Sequence, residues 1–170
     1  MSVLHLEVRD QLKSTRLTRP EFQPQLVAVA VGNHPASNIY LARKAEAAQF
    51  CGLHFSRVSL DVDVSLSYLL SLLSTLNSDP AVSGVIVQLP LPAHLPELVV
   101  CNAVLPSKDV DGFTSTNLGK LVQAVDRYRN CSEVYYSRPQ YYVDIFHLAN
   151  SVVGAARAWC RARRWRCVVS

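Results

Sequence analysis

The chain has 170 residues, of which 49% are hydrophobic and 18% are charged, and its formal net charge is +4. This composition is typical of a globular protein with enough apolar side chains for one core. The positive charge is concentrated in five arginines near the C-terminus, and the rest of the sequence is close to neutral. We therefore interpret the basic run as a solvated segment, and we predict no nucleic-acid or membrane partner.

Cysteine usage and the N-terminal residues indicate the compartment. The five cysteines are an odd number, widely spaced and without a Cys-x-x-Cys pair, so we expect no disulfide framework, no zinc site and a reducing environment. No apolar run approaches the roughly 20 residues of a membrane span. Glu7 and Asp10 interrupt the early basic residues, which argues against a transit peptide. With no targeting segment visible, we predict a cytoplasmic or mitochondrial protein.

The first third of the chain predicts helix, strand and helix. Residues 3–17 alternate apolar and charged side chains as a short amphipathic helix does. Residues 26–31 are continuously apolar, which is typical of a strand covered on both faces. Ser37 or Asn38 can cap a helix that runs to about Cys51, where Gly52 ends it.

The pattern continues to about residue 123. Residues 53–60 read as a second strand, and Ser65 can cap a leucine-rich helix that ends at residues 77–80. A third strand over 84–89, a helix over 95–104 and a polar loop over 108–113 follow. This alternation predicts an α/β fold: a three-layer domain with a small, mostly parallel sheet flanked by helices. We expect the domain to span 1–123 and to be followed by a tail of uncertain order, 124–170.

Polar side chains cluster where this fold would place a ligand. In open parallel sheets ligands bind beyond the carboxyl ends of the strands. Tyr40 and Lys44 are four residues apart on the helix after strand one, so they share one face. Gln88 ends strand three, and Asp111 lies on the polar loop. These four groups are expected to converge on one cleft.

Three segments carry a family resemblance. They are Pro35-Ala-Ser-Asn-Ile-Tyr-Leu-Ala-Arg-Lys44, Val87-Gln-Leu-Pro-Leu-Pro92 and Pro106-Ser-Lys-Asp-Val-Asp-Gly-Phe113. In this order and at these separations they resemble the bifunctional methylenetetrahydrofolate dehydrogenase/methenyltetrahydrofolate cyclohydrolase family. The resemblance covers roughly residues 3 to 123, which corresponds to the family's N-terminal folate-binding catalytic domain.

The resemblance implies roles for six residues in one-carbon tetrahydrofolate interconversion. Lys44 would be the central catalytic residue, moving protons while the methenyl bridge opens, and Gln88 would hydrogen-bond Lys44. Tyr40 would stack on the folate ring system, and Asp111 would accept hydrogen bonds from the pterin. Val87 and Leu89 beside Gln88 would complete the substrate site. No residue is assigned to a nucleotide cofactor or a metal.

The family continues into a Rossmann domain that binds NAD or NADP, and this sequence departs from it there. The chain has six glycines but no Gly-x-Gly, so it offers no backbone cradle for a pyrophosphate. We therefore expect a truncated chain with the Rossmann cofactor domain absent, dehydrogenase activity lost and cyclohydrolase activity weak at best. The family is homodimeric, and because it dimerises largely through the missing domain, we do not assign a dimer to this chain.

Two alternatives remain open. A non-catalytic folate-binding fragment or splice product would keep the same residues without turnover. Tyr-x-x-x-Lys is also the catalytic pair of short-chain dehydrogenases, but there a glycine-rich nucleotide turn precedes the pair. The turn before Tyr40 offers only Gly32, which disfavours that enzyme class.

Overall fold

The computed structural model describes residues 3–120 of the chain. The tail predicted over 124–170, which includes the basic run over 157–166 and three of the five cysteines, lies outside the described residues. The elements in chain order are α1 (Val3–Thr18), β1 (Gln25–Val31), α2 (Pro35–Cys51), β2 (His54–Leu60), α3 (Leu66–Ser78), β3 (Val82–Gln88) and α4 (Glu97–Asn102).

The three strands form one parallel sheet in the order β2-β1-β3. In the register of the sheet, Val31 at the end of β1 pairs with Leu60 at the end of β2. Ala30 pairs with Gln88, the last residue of β3. All three strands therefore present their carboxyl ends at the same edge, as the predicted crossovers require. The α/β fold with a small parallel sheet and flanking helices is confirmed.

Each face of the sheet carries its own hydrophobic cluster, because alternate side chains of β1 point to opposite faces. Leu26, Ala28 and Ala30 belong to a cluster with residues of α1 and α2. Val27, Val29 and Val31 belong to a second cluster with residues of α3 and α4. The continuous apolar run of β1 is thus explained by a central strand buried on both faces.

Most of the predicted element ends agree with the structure. Gly52 adopts the left-handed conformation with φ of 79° and ends α2. Ser65 caps α3 by accepting a hydrogen bond from the backbone N–H of Tyr68 at 3.2 Å. The predicted helix over 95–104 is shorter in the structure, because Pro96 stands at its N-cap and only Glu97–Asn102 is helical.

The predicted cap of α2 is wrong. The helix begins at Pro35, after His34 as the N-cap residue, and that residue makes no side-chain cap hydrogen bond. Pro suits the first helical position because its missing N–H would have no partner there. Ser37 is therefore inside the helix, and its side chain is directed toward β3 instead.

Residues 3–120 offer neither a membrane-spanning helix nor a metal-binding cluster. No helix in that range is both long and apolar enough to cross a membrane. The same residues hold no group of three or more His, Cys, Asp or Glu side chains arranged for a metal ion.

Candidate functional site

Lys44 and Asp111 form a buried ion pair. The Lys44 ammonium nitrogen, Nζ, lies 3.4 Å from Oδ1 of Asp111. The side chains are only 8% and 7% exposed, respectively. A separation of 3.4 Å is longer than the 2.7–2.9 Å of a strong charge-assisted hydrogen bond, so the pair is in contact but not tightly bonded. Two charges withdrawn from water are costly to bury, and such pairs occur at sites where function requires them.

The two elements that carry the ion pair, α2 and the loop after α4, are far apart in sequence and meet at the carboxyl edge of the sheet. Lys44 lies in the middle of α2, which follows β1, and it is one of the buried residues of that helix. Asp111 lies on the loop that follows α4. This loop is joined to β3 by a parallel bridge between Val85 and Asp109. This bridge brings the loop alongside the third strand.

Gln88 presents an unpaired acceptor. Its amide nitrogen donates to the carbonyl oxygen of Leu89 at 2.8 Å. Because that carbonyl can only accept, the other amide atom of Gln88 is the oxygen. This oxygen, Oε1, is buried and has no hydrogen-bond partner among the described residues. A buried polar atom without a hydrogen-bond partner is rare in folded proteins. Where one occurs, a bound ligand can supply the missing hydrogen bond.

The predicted hydrogen bond between Gln88 and Lys44 is not formed within the part of the chain that the structure describes. The Lys44 ammonium donates to Asp111 instead. Gln88 nevertheless lies on the sheet face that is covered by α2, since it follows Ile86 by two residues and Ile86 packs in the cluster on that face. Its amide oxygen and the Lys44 ammonium therefore belong to the same side of the sheet.

Ser37 supports this strand end in a way that the sequence did not reveal. Its hydroxyl donates to the carbonyl oxygen of Leu89 at 3.3 Å. The same carbonyl accepts from Gln88, so two donors converge on one backbone oxygen. The peptide bond that follows, Leu89–Pro90, is cis. A buried serine inside a helix, directed at a strand end, has no distinct sequence signal, which is why it was interpreted as a cap.

The remaining predicted site residues differ in where their side chains lie. Tyr40 is 56% exposed, so its ring is available to a ligand. Val87 is buried in the cluster against α3 and α4, and Leu89 packs against the same cluster. Their side chains are thus on the far face of the sheet from Lys44. Any ligand contact from Val87 or Leu89 would be made by main-chain atoms.

Similarity to known proteins identifies the family. The sequence model described as "Tetrahydrofolate dehydrogenase/cyclohydrolase, catalytic domain" matches residues 2–111. The chain belongs to this family. The match includes all of the site residues described above, and the resemblance predicted from three short segments is confirmed.

Known relatives match the chain over part of their own length. The cytoplasmic C-1-tetrahydrofolate synthase of Schizosaccharomyces pombe is 43% identical over 117 residues, which are 69% of this chain and 12% of that protein. The bifunctional methylenetetrahydrofolate dehydrogenase/cyclohydrolase FolD of Campylobacter jejuni is 36% identical, with a TM-score of 0.64 over 69% of this chain and 43% of that one.

A more distant structure supports the fold alone. The dehydrogenase-cyclohydrolase of Trypanosoma brucei, solved with NADP and an inhibitor, has a TM-score of 0.68 at 22% identity. It matches 88% of this chain and 59% of its own. In all three comparisons the chain spans less than two thirds of the other protein.

Burial makes Asp111 of this tetrahydrofolate dehydrogenase/cyclohydrolase domain an unusual carboxyl group. Desolvation raises its pKa to about 6, the nearby Lys44 ammonium opposes the rise, and the charge of Asp109 adds to it. Burial prevails because the ammonium is 3.4 Å away and cannot replace the lost hydration. The group therefore changes charge close to neutral pH, where a small change in its surroundings alters its protonation.

Proposed function

We propose that residues 3–120 bind a tetrahydrofolate derivative and that the chain acts in one-carbon folate interconversion by opening the methenyl bridge with water. The observation that supports this best is the buried Lys44–Asp111 pair beside the unpaired oxygen of Gln88. A binding site that is complete without ligand would not leave a buried acceptor unsatisfied.

Each side chain offers a group that suits a pterin and its one-carbon bridge. The Asp111 carboxylate can accept two adjacent N–H groups from the pterin edge, because its oxygens lie side by side. The exposed ring of Tyr40 can stack on the flat ring system. Gln88 Oε1 can accept a hydrogen bond from Lys44 or from the attacking water.

Lys44 is the proposed proton carrier. In the hydrolysis, water adds to the cationic bridge carbon, one carbon–nitrogen bond breaks, and the carbon becomes a formyl group. One proton of the water goes to the released nitrogen, and the other is released to solvent. A lysine amine near the bridge can accept the proton of the attacking water and deliver it to that nitrogen.

The dehydrogenase reaction requires a bound nicotinamide, and the 170-residue sequence contains no glycine-rich turn for its pyrophosphate. We therefore expect the chain, assayed alone, to hydrolyse the methenyl bridge slowly and to transfer no hydride to NAD or NADP. Formation of NADH or NADPH from methylenetetrahydrofolate by the purified chain would contradict this. The homodimer of the family and a cytoplasmic or mitochondrial location stay predictions.

The experiment compares methenyltetrahydrofolate hydrolysis by the wild type, Lys44→Met and Lys13→Met, with folate binding measured in parallel. Lys13 is an exposed lysine of α1 and serves as the matched control. We expect Lys44→Met to remove the enzymatic rate and Lys13→Met to retain it. Equal hydrolysis by all three chains would refute the role of Lys44. Folate binding without hydrolysis by the wild type would instead support the non-catalytic alternative.

A further inference from the structure

Asp109 accepts an unusually complete set of hydrogen bonds. Its Oδ1 accepts from the backbone N–H groups of Gly112 at 2.9 Å and Phe113 at 3.2 Å. Its Oδ2 accepts from the N–H of Thr114 at 2.9 Å and from the side-chain amide of Asn117 at 3.0 Å. One carboxylate thus satisfies three consecutive backbone donors and one side chain.

The four hydrogen bonds accepted by Asp109 fix the conformation of the loop that contains Asp111. The upstream side of the loop is fixed to β3, because the backbone N–H of Val85 donates to the carbonyl of Lys108 at 2.8 Å. The downstream side has no comparable bond to a strand within residues 3–120. It is held by Asp109 and by the Asn102 side chain of α4, which accepts from the N–H of Ser115 at 2.7 Å. Asp111 lies between these two anchors, so the direction of its carboxylate depends on both.

The turn also requires Gly112 and the helix that follows it. Gly112 has φ of 72°, which is the left-handed region that favours glycine. Thr114 then accepts a hydrogen bond from the N–H of Asn117 at 3.2 Å, as the N-cap residue before a helical stretch does. Asp109 connects the turn, this cap and the Asn117 side chain in one network.

We propose that Asp109 is a positioning residue that holds the loop so that the Asp111 carboxylate faces Lys44. The proposal rests on the proposed function only for its effect on folate binding, since the loop geometry itself can be measured without ligand. Asparagine cannot replace Asp109. Its amide nitrogen would face either the two donors on Oδ1 or the two on Oδ2, and a donor cannot accept from a donor.

Charges around Asp111 make its titration a local reporter of this geometry. Lys44 approaches it from α2, and Asp109 lies on the same loop. On α4, burial and the charges of Glu97 and both aspartates raise the pKa of the Cys101 thiol. Loss of the anchor would let water reach Asp111 and would remove the neighbouring negative charge. Both changes lower the pKa of Asp111 from about 6 toward its ordinary value of 3.8, whereas separation from the Lys44 ammonium raises it. A shift in either direction therefore reports a change at this site.

The test uses Asp109→Asn, with Asp79→Asn as the matched control. Asp79 is an exposed aspartate that also accepts a backbone N–H, that of Ala81 at 2.8 Å, before the start of β3. In the ligand-free full chain, carboxyl NMR titration should show a shifted Asp111 midpoint in Asp109→Asn only. Hydrogen exchange at residues 112–114 should accelerate in the same variant. Affinity for a tetrahydrofolate derivative should fall about tenfold or more, a loss of about 1.4 kcal/mol.

A milder variant covers the case in which Asp109→Asn does not fold. Asn117→Ala removes one of the four donors but keeps the charge of Asp109, so a shift of the Asp111 midpoint in this variant reports the position of the loop without the charge effect. An unchanged midpoint in Asn117→Ala, together with wild-type hydrogen exchange at residues 112–114 in Asp109→Asn if that variant folds, would overturn the proposal. Normal loop behaviour in the wild type without any folate binding would refute the proposed function and leave the positioning role to be decided by the titration.

Discussion

Lys44 and Asp111 are 67 residues apart in sequence, yet their charged groups meet at 3.4 Å in a buried site. Each residue alone would be expensive to bury as an ion, and each reduces the cost of the other. The pair also joins α2 to the loop after α4, so the two halves of the candidate site are held together by the groups that we propose for its chemistry.

The first prediction concerns Asp111 and the pH dependence of stability. Its pKa is about 6 in the folded protein, against an ordinary value of 3.8. Between these values the folded state holds a proton that the unfolded state has released. This contribution to stability is therefore full at low pH and is lost as the pH rises through about 6. The difference corresponds to about 3 kcal/mol over the window.

Asp111→Asn removes this titration. We expect the unfolding free energy of the wild type, relative to Asp111→Asn, to decline as the pH rises from about 4 to about 6. Urea unfolding at several pH values measures this decline, and Asp79→Asn is a control whose pH profile should follow that of the wild type. Parallel pH profiles for the wild type and Asp111→Asn would show that Asp111 titrates normally.

The second prediction separates stability from activity at Gln88. Gln88→Met removes a buried oxygen that has no partner, and the Leu89 carbonyl keeps the hydroxyl of Ser37. We expect the unfolding free energy to change by less than about 1 kcal/mol, because a lost hydrogen bond is offset by removal of an unsatisfied acceptor. Hydrolysis of methenyltetrahydrofolate should nevertheless be lost.

Gln25→Met is the matched control for Gln88→Met. The Gln25 amide donates to the Ser56 hydroxyl at 3.1 Å, at the opposite end of the sheet from Gln88. No unsatisfied buried oxygen is relieved there, so this variant should be the less stable of the two and should retain activity. A larger destabilisation by Gln88→Met would mean that its amide oxygen has a partner in solution.

The third prediction concerns the close approach of the loop to β3. A Cβ atom at Gly84 would lie 2.6 Å from Cγ2 of Val110 and 2.8 Å from Cδ2 of Leu26. Both are side chains of the core, so Gly84→Ala should destabilise the domain by about 1–3 kcal/mol. It should also displace the loop that carries Asp111 and weaken folate binding.

Gly119→Ala is the control, because a Cβ there meets no atom within 4 Å and the residue is helical. Alanine favours a helix, so this change should be neutral or stabilising by up to about 1 kcal/mol. Thermal unfolding of both variants measures the difference. If Gly84→Ala matches the wild type, the packing of Val110 against β3 is looser than the structure shows.

The sequence predicted the elements that depend on local patterns. Ser65 could be assigned as a cap because it directly precedes the leucine pattern of α3. The apolar run from Leu26 to Val31 indicated a strand covered on both faces. The start of α2 was misplaced because Pro35, Ser37 and Asn38 are all compatible with a helix start, and only the position of β3 shows which role Ser37 takes.

The site was predicted in its members but not in its contacts. The rule that ligands bind at the carboxyl ends of parallel strands was enough to group Lys44, Gln88 and Asp111. That Lys44 pairs with Asp111 and not with Gln88 was not predictable, since the pairing depends on the depth at which each side chain is buried. Asp109 was assigned only to the polar loop over 108–113. The Asp-x-x-Gly spacing could have indicated an aspartate that accepts backbone N–H groups, but not that it supports Asp111.

The hydrogen bond from Ser37 to the Leu89 carbonyl also argues against nucleophilic attack by serine in this cleft. A serine becomes a nucleophile when a base such as histidine withdraws its hydroxyl proton. The proton of Ser37 is directed at an amide carbonyl, which is not a base of that kind. Acyl-enzyme formation at Ser37 is therefore disfavoured. The nucleophile that attacks a substrate in this cleft would be water instead of a serine oxygen.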